Sequence, residues 1–390
     1  MTNVFDFSTI YTAIITSNIL LILIALIVSN EKILINAGYK LITIFLGVTA
    51  VRFLLPIEFP FATTVPLPQG ISNFFVPLFT PLYTIAEVEI TPILLIALVW
   101  IIGILVQGYR YYKANLIIYT RIFTTGRNVS KDARYVRIME ELYKDKAKLF
   151  SIFQIPDLET PLIFGFFKPY ILIPEQFDCT DEELAYILKH EVSHYLHHDL
   201  LVKCLTRLLT ILYWWNPFGY LLYHQVNLVL EMRIDDSLTL ETDKETAEYL
   251  NCLLHLAEYQ DCIFCNPMSN TIAFTPGDEN VLTKRFKMLL QRRQKKNWIL
   301  NFILICMIGC IYLFSYLYVF EAYAIDSQTK QGVIISNETN SFIIDNGNGT
   351  YDVYLSGYKI KTTDSLEYFS KDIPIYKKED YEHAQQKETK

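Results

Sequence analysis

"TDEELAYILKHEVSHYLHHDLL", residues 180–201, decides how the chain is read. It sets four of the chain's seven histidines and a glutamate within positions 190–198. Thr180 followed by Glu183 is a capping box, and apolar residues follow at helical spacing, so a helix starts here. His190 and His194 are four apart on it and share one face. Two imidazoles so placed can bind one Zn2+. Glu191 between them lies toward the open side of the metal, where it can take a proton from water and pass it to a leaving amine. The bland alternative is a solvated histidine-rich face; chance HExxH patterns on a capped helix are rare enough to disfavour it.

A catalytic zinc takes a third protein ligand and keeps a place for water. The candidates are His197, His198, Asp199, His224 and Glu231. His197 and His198 follow too closely along the same helix. Asn216 is a good N-cap and Pro217 suits a first helical position, which predicts a helix over 217–238. Glu231 lies on it, and Asp235 follows one turn later on the same face. A carboxylate at Asp235 can accept the second N–H of a zinc-bound histidine and fix its tautomer. Taken alone, the two acids would read as a solvated face. His224, two turns before Glu231, fits a transition-state stabiliser, a ligand or a packed core histidine, the last being the commonest fate of such a residue.

Outward from this centre the chain turns apolar. Of its 390 residues 52% are hydrophobic, and the formal charge of −7 argues against direct nucleic-acid binding. Its seven cysteines form no even, regularly spaced disulfide framework. Four runs, about 7–30, 34–55, 90–109 and 298–320, reach the roughly 20 residues a helix needs to cross hydrocarbon. Lys and Arg are missing from the 56–89 loop but crowd in after the third run and in "KRFKMLLQRRQKKN", 284–297. The positive-inside rule then predicts an outside N-terminus, a cytoplasmic 111–297 domain and an outside tail from about 323 to 390. The first run has neither the basic start nor the cleavage site of a signal peptide.

Within 111–297 the pattern predicts a surface helix over 130–150, two strands within "ETPLIFGFFKPYILIP" (159–174), the zinc helix and a helix over about 200–215. After the 217–238 helix, 243–297 reads as helical with a loop near 266–279. In the tail, "FIIDNGNGTYDVYLSGYKIK" predicts a hairpin. Cys252, His255, Cys262 and Cys265 could be metal ligands by type, though their spacing fits no standard finger.

HEVSH at 190–194, Asp199, "YWWNP" at 213–217, Glu231 with Asp235, and "FGFFKPYILIP" at 164–174 together resemble the BlaR/MecR-type integral-membrane zinc metallopeptidases. The resemblance implies a polytopic, mainly α protein of a bacterial plasma membrane. Together with the apolar runs and the tail hairpin read above, this gives four transmembrane helices, a cytoplasmic α+β gluzincin-like domain and a small β-rich extracytoplasmic tail. It further implies one catalytic Zn2+ held by His190, His194 and Glu231, Glu191 as catalytic base and Asp235 in support. The substrate would be a cytoplasmic protein such as a transcriptional repressor, or the chain itself, and a homodimer is compatible with the sequence. The antibiotic sensors of this family carry a penicillin-binding domain after the last span. Residues 324–390 leave no room for one, so β-lactam sensing is not implied. Two rival expectations stand beside this one: an HtpX-like quality-control protease, and a receptor whose metal site is structural.

Overall fold

The computed structural model describes residues 7–57, 61–67, 82–85, 88–239, 243–264, 279–291, 296–321, 342–347, 349–355, 358–363 and 373–378, with 59, 78 and 366 singly. The chain divides into two compact units. One comprises Met1–Thr16, Pro56–Gly103 and Leu313–Lys390; the other comprises Ser17–Leu55 and Ile104–Tyr312.

Four helices are long and apolar enough to cross a membrane: α1 (Phe7–Ser29), α2 (Glu31–Leu54), α3 (Pro92–Thr124) and one at Trp298–Leu317. Asn30 caps α2, its Oδ1 accepting from the Ile33 N–H at 3.2 Å. α2 is broken at Gly38, whose φ of 72° and ψ of 163° are not helical. A Cβ there would lie 2.7 Å from Lys296 Nζ, so both the conformation and the close approach call for glycine. The third apolar run was expected to end at 109, yet α3 continues to Thr124. Its last turns have something to pack on: Ile118 and Ile122 are buried with Phe153, Ile155 and Leu172.

The larger unit carries a four-stranded sheet in the order β4 (Arg127–Asn128), β5 (Ser151–Ile155), β7 (Tyr170–Pro174), β6 (Leu162–Phe164). β5 and β7 are parallel and β6 and β7 antiparallel, with Leu162 opposite Leu172. The expected 130–150 helix is shorter than its pattern. α4 runs Ala133–Tyr143, Lys144 takes φ 50°, a 3-10 turn covers Lys144–Leu149, and the chain then enters β5. The sequence reading missed β5: "SIFQI" is short and does not alternate strictly, with Ile152, Phe153 and Ile155 all buried, so it does not stand out beside a helical run.

α5 (Asp181–Leu196) lies against this sheet and α4. Both halves of its capping box are present, Glu183 N–H to Thr180 Oγ1 at 3.2 Å and Thr180 N–H to Glu183 Oε2 at 2.9 Å. Leu184, Leu188 and Val192 at i, i+4 and i+8 are fully buried with Ile138, Ile152, Ile171 and Ile173. Each such side chain contributes about 1.5–3 kcal/mol of burial. Arg134 reaches from α4 to Asp181 at 2.7 Å and anchors the start of the helix. This inward stripe leaves Glu191 and His194 to the other flank, against α6 (Asp199–Leu212), α7 (Pro217–Leu238) and α8 (Asp243–Phe264). Then come α9 (Glu279–Leu290) and α10 (Trp298–Leu317); Asn36 on α2 donates from Nδ2 to Asn301 Oδ1 on α10 at 2.7 Å. The loop expected near 266–279 falls almost wholly outside the described residues.

In the smaller unit β1 (Thr63–Pro66) pairs in parallel with β8 (Tyr318–Glu321), and β2 (Tyr83–Ile85) pairs with β3 (Val88–Ile90). Four strands of 342–377 form a sheet in the order β11 (Tyr358–Thr363), β10 (Tyr351–Leu355), β9 (Phe342–Asp345), β12 (Ile375–Lys377).

Candidate metal centre

Three electron-pair donors converge between α5 and α7. His190 Nε2 is 3.2 Å from His194 Nε2 and 3.1 Å from Glu231 Oε2; His194 Nε2 is 3.4 Å from Glu231 Oε1. The four-residue spacing on α5 supplies the first pair. α7 crosses α5 so that Glu231 faces both rings.

The outer ring nitrogens show why these donors need a cation. His194 Nδ1 lies 2.8 Å from Asp199 Oδ2, a fully buried carboxylate that can only accept, so the proton is on Nδ1. His190 Nδ1 lies 2.9 Å from Tyr249 Oη, and that hydroxyl donates to Asp235 Oδ1 at 2.6 Å. Tyr249 must therefore accept from His190, which again places the proton on Nδ1. Both Nε2 lone pairs then point at one another and at a carboxylate, a repulsive set unless a positive charge sits among them. Donors about 2.0 Å from a tetrahedral ion would be about 3.3 Å apart, and the three separations bracket that value. The residues present fit a metal ion, and His190, His194 and Glu231 could hold it.

A ring of charge surrounds the donors. Lys203 on α6 donates to Glu231 Oε1 at 3.3 Å. Burial alone would raise the Glu231 carboxyl; positive charge facing it from the His194 side and from Lys203 outweighs burial and holds the group well below the usual carboxylate range. Arg285 on α9 grips Asp235 with two bonds, Nε to Oδ2 at 2.7 Å and Nη2 to Oδ1 at 2.8 Å. Arg233 pairs with Asp199. Each supporting carboxylate thus has its own cation. Burial and the Asp235 carboxylate push the Tyr249 phenol well above its ordinary value, so it keeps the proton it donates.

BlaR1 peptidase M56 is the family whose description matches this sequence, over residues 58–289, more than half of the chain. The chain belongs to that family. It is 26% identical over 150 residues to "Regulatory protein BlaR1" of Bacillus licheniformis, covering 38% of this chain and 25% of that protein. It is 23% identical over 178 residues to "Methicillin resistance mecR1 protein" of Staphylococcus aureus and of Staphylococcus epidermidis, covering 44% of this chain and 28% of each relative. The matched region spans only about a quarter of those relatives' length. Membership places the chain in a peptidase family, and four of its helices are long and apolar enough to cross a membrane.

On this M56 chain the residues singled out from the sequence are placed as follows. His190, His194 and Glu231 meet, and Glu191 lies beside them, 8% exposed and accepting no hydrogen bond among the described residues. Asp235 serves His190 through Tyr249; its own Oδ1 stays 3.8 Å from His190 Nδ1. Asp199, considered as a ligand, instead holds His194 from behind. His197 bonds its own helix at Ser193 O and His198 makes the left-handed turn into α6, both exposed. His224 is exposed, with its ring centre 5.9 Å from that of Tyr223, and no hydrogen bond joins it to the cluster among the described residues. Cys252 is buried and His255 bonds Glu183 Oε1 at 2.9 Å; the side chains of Cys262 and Cys265 lie outside the described residues. Sequence reasoning missed Tyr249, Arg285, Arg233 and the role of Lys203. Lys203 and Arg207 one turn apart on an apolar helix were a signal, because charges there need partners. Tyr249 and Arg285 gave none.

Proposed function

We propose that the chain is a zinc-dependent endopeptidase that cuts a protein on the cytoplasmic side of a bacterial plasma membrane, with His190, His194 and Glu231 as zinc ligands. The observation that carries this is the convergence of two unprotonated ring nitrogens and a carboxylate beside Glu191. When bound there, zinc supplies Lewis acidity, polarising a scissile carbonyl and making a water easier to deprotonate. Glu191 takes that proton on its carboxylate and returns it to the departing amine. Among the described residues no hydrogen bond engages this carboxylate, which leaves both oxygens available. Tyr249 and Asp199 fix the rings, and Asp235, gripped by Arg285, fixes Tyr249.

The Lys and Arg distribution supports an outside N-terminus and tail, with the 111–297 peptidase domain in the cytoplasm. The names of the relatives, a regulatory protein and a resistance protein, support a substrate in signalling. We assign that substrate to a cytoplasmic repressor or the chain itself. The test is cleavage in membranes expressing wild type or Glu191→Ala, with zinc measured in both. Proteins that lose full length only with wild type, at equal zinc content, support the proposal. Equal cleavage by both would overturn it and favour a receptor with a structural metal.

A further inference from the structure

The helical hairpin α6–α7 belongs to the 111–297 stretch, yet its contacts run along one of the apolar helices. α2 is one of the four apolar helices. Near its start, Ile35, Gly38 and Tyr39 line a cavity of about 220 Å3 together with Met232, Asp235 and Asp236 of α7. Near its end, the Phe53 carbonyl accepts a hydrogen bond from Tyr213 Oη at 2.8 Å, and the two rings are 5.1 Å apart. At the hairpin tip Asn216 Nδ2 donates to Asn18 Oδ1 on α1 at 3.0 Å. α7 therefore runs antiparallel along α2. From Gly38 to Phe53, and from Met232 to Pro217, each helix rises about 22 Å. α6 returns beside them, packed on both α7 and α2. A partner following a bilayer-crossing helix through most of a roughly 30 Å hydrocarbon layer shares that layer.

We propose that α6 and α7 form a re-entrant hairpin inserted in the bilayer, with the outer face of α6 against lipid acyl chains. Leu201, Leu205 and Leu208, at i, i+4 and i+7, are 51%, 51% and 49% exposed, and Trp215 at the tip is 50% exposed. Water would penalise that stripe; acyl chains do not. The two cations of α6 do not contradict the placement. Lys203 is on Glu231, and the Arg207 guanidinium lies over the Tyr111 and Tyr223 rings at 6.0 and 5.5 Å. Neither enters hydrocarbon without a partner. Four backbone donors at the tip are also satisfied internally, as hydrocarbon demands. Tyr213 N–H bonds Leu209 O, Asn216 N–H bonds Tyr213 O, Gly219 N–H bonds Asn216 O, and Asn216 Oδ1 takes the Phe218 N–H. Glu231 sits at the hairpin base, level with the Ile35–Tyr39 end of α2. The candidate metal centre then lies at the membrane surface, and a substrate must present its cleaved segment there.

The wild-type full chain in phosphatidylcholine–phosphatidylglycerol vesicles tests this with an apolar carbene precursor dissolved in the acyl region. Adducts mapped by mass spectrometry are expected on Leu201, Leu205 and Leu208 at yields within about twofold of those on Leu98 and Leu105 of α3. Adducts on α3 and α10 with none on 201–208 would overturn the proposal. A second measurement uses single cysteines at Leu205→Cys and, as a reference on the exposed 3-10 turn, Lys146→Cys, in a chain without its native cysteines. A membrane-impermeant maleimide is expected to label Leu205→Cys at least tenfold more slowly in vesicles; equal rates would overturn the placement.

Discussion

His190 and His194 share a helix and aim at one point, yet they are held by opposite kinds of architecture. His194 is fixed from nearby: Asp199, five residues on, bonds it directly, and Arg233 braces that carboxylate. His190 is fixed from afar, through Tyr249 on α8, Asp235 on α7 and Arg285 on α9. The short anchor is built into a single turn of chain and forms with it. The long one exists only when three further helices have docked. Half of the centre is therefore local structure and half is tertiary assembly.

Breaking the short anchor should cost most. Asp199→Ala frees the His194 ring and strands the Arg233 guanidinium. A zinc competition titration on the detergent-solubilised chain should show affinity falling about 100-fold, with thermal stability lowered by about 3–5 kcal/mol. Unchanged zinc affinity would show that His194 needs no such support. On the long anchor, Asp235→Asn keeps the shape and weakens both the Arg285 grip and the Tyr249 bond, so a loss of about tenfold is expected. Tyr249→Phe removes one neutral hydrogen bond to His190, worth about 1 kcal/mol, and should weaken zinc about fivefold. Combining the last two sharpens the contrast. They act through one chain of bonds and should add to less than their sum, whereas Asp199→Ala and Tyr249→Phe should be nearly additive.

The smallest effect lies at the far end of α5. Burial would raise the Glu183 carboxyl, but its bond from the Thr180 backbone and its pairing with His255 hold it below the ordinary range. A carboxyl so lowered stabilises the fold above its unfolded pKa, and that contribution is lost as pH falls through the folded value. Glu183→Gln should lower stability by about 0.5–1 kcal/mol at neutral pH, and the difference should vanish in acid. Parallel melting curves from pH 7 to pH 3 would show it; a gap that persists in acid would exclude the carboxylate as its source.

The split between near and far also explains what the sequence disclosed. The capped helix of His190 and His194, the Asn216–Pro217 helix start and the four apolar runs are local patterns, and all were legible. So was Glu231, because Asp235 marked the same face one turn on. Asp199 was visible but its task was not: five residues of spacing cannot say whether a carboxylate reaches the metal or the ring behind it. Tyr249 and Arg285 sit on helices of unremarkable pattern, and only docking gives them a role. β5 was hidden by its length, and the continuation of α3 by the end of its apolar run. The path of α6–α7 was hidden because charges on α6 masked its kinship with the spans, until their partners were seen.

The break at Gly38 makes α2 two rods instead of one. Their mutual angle can change without opening either hydrogen-bond ladder, so tilt imposed on the upper rod bends the joint before it strains the rest. That joint opens onto the cavity walled by Asp235 and Arg285, while Asp199 and Arg233 take no part in lining it. The joint therefore faces the Asp235–Arg285 pair, and through Tyr249 the chain of bonds from that pair ends on His190.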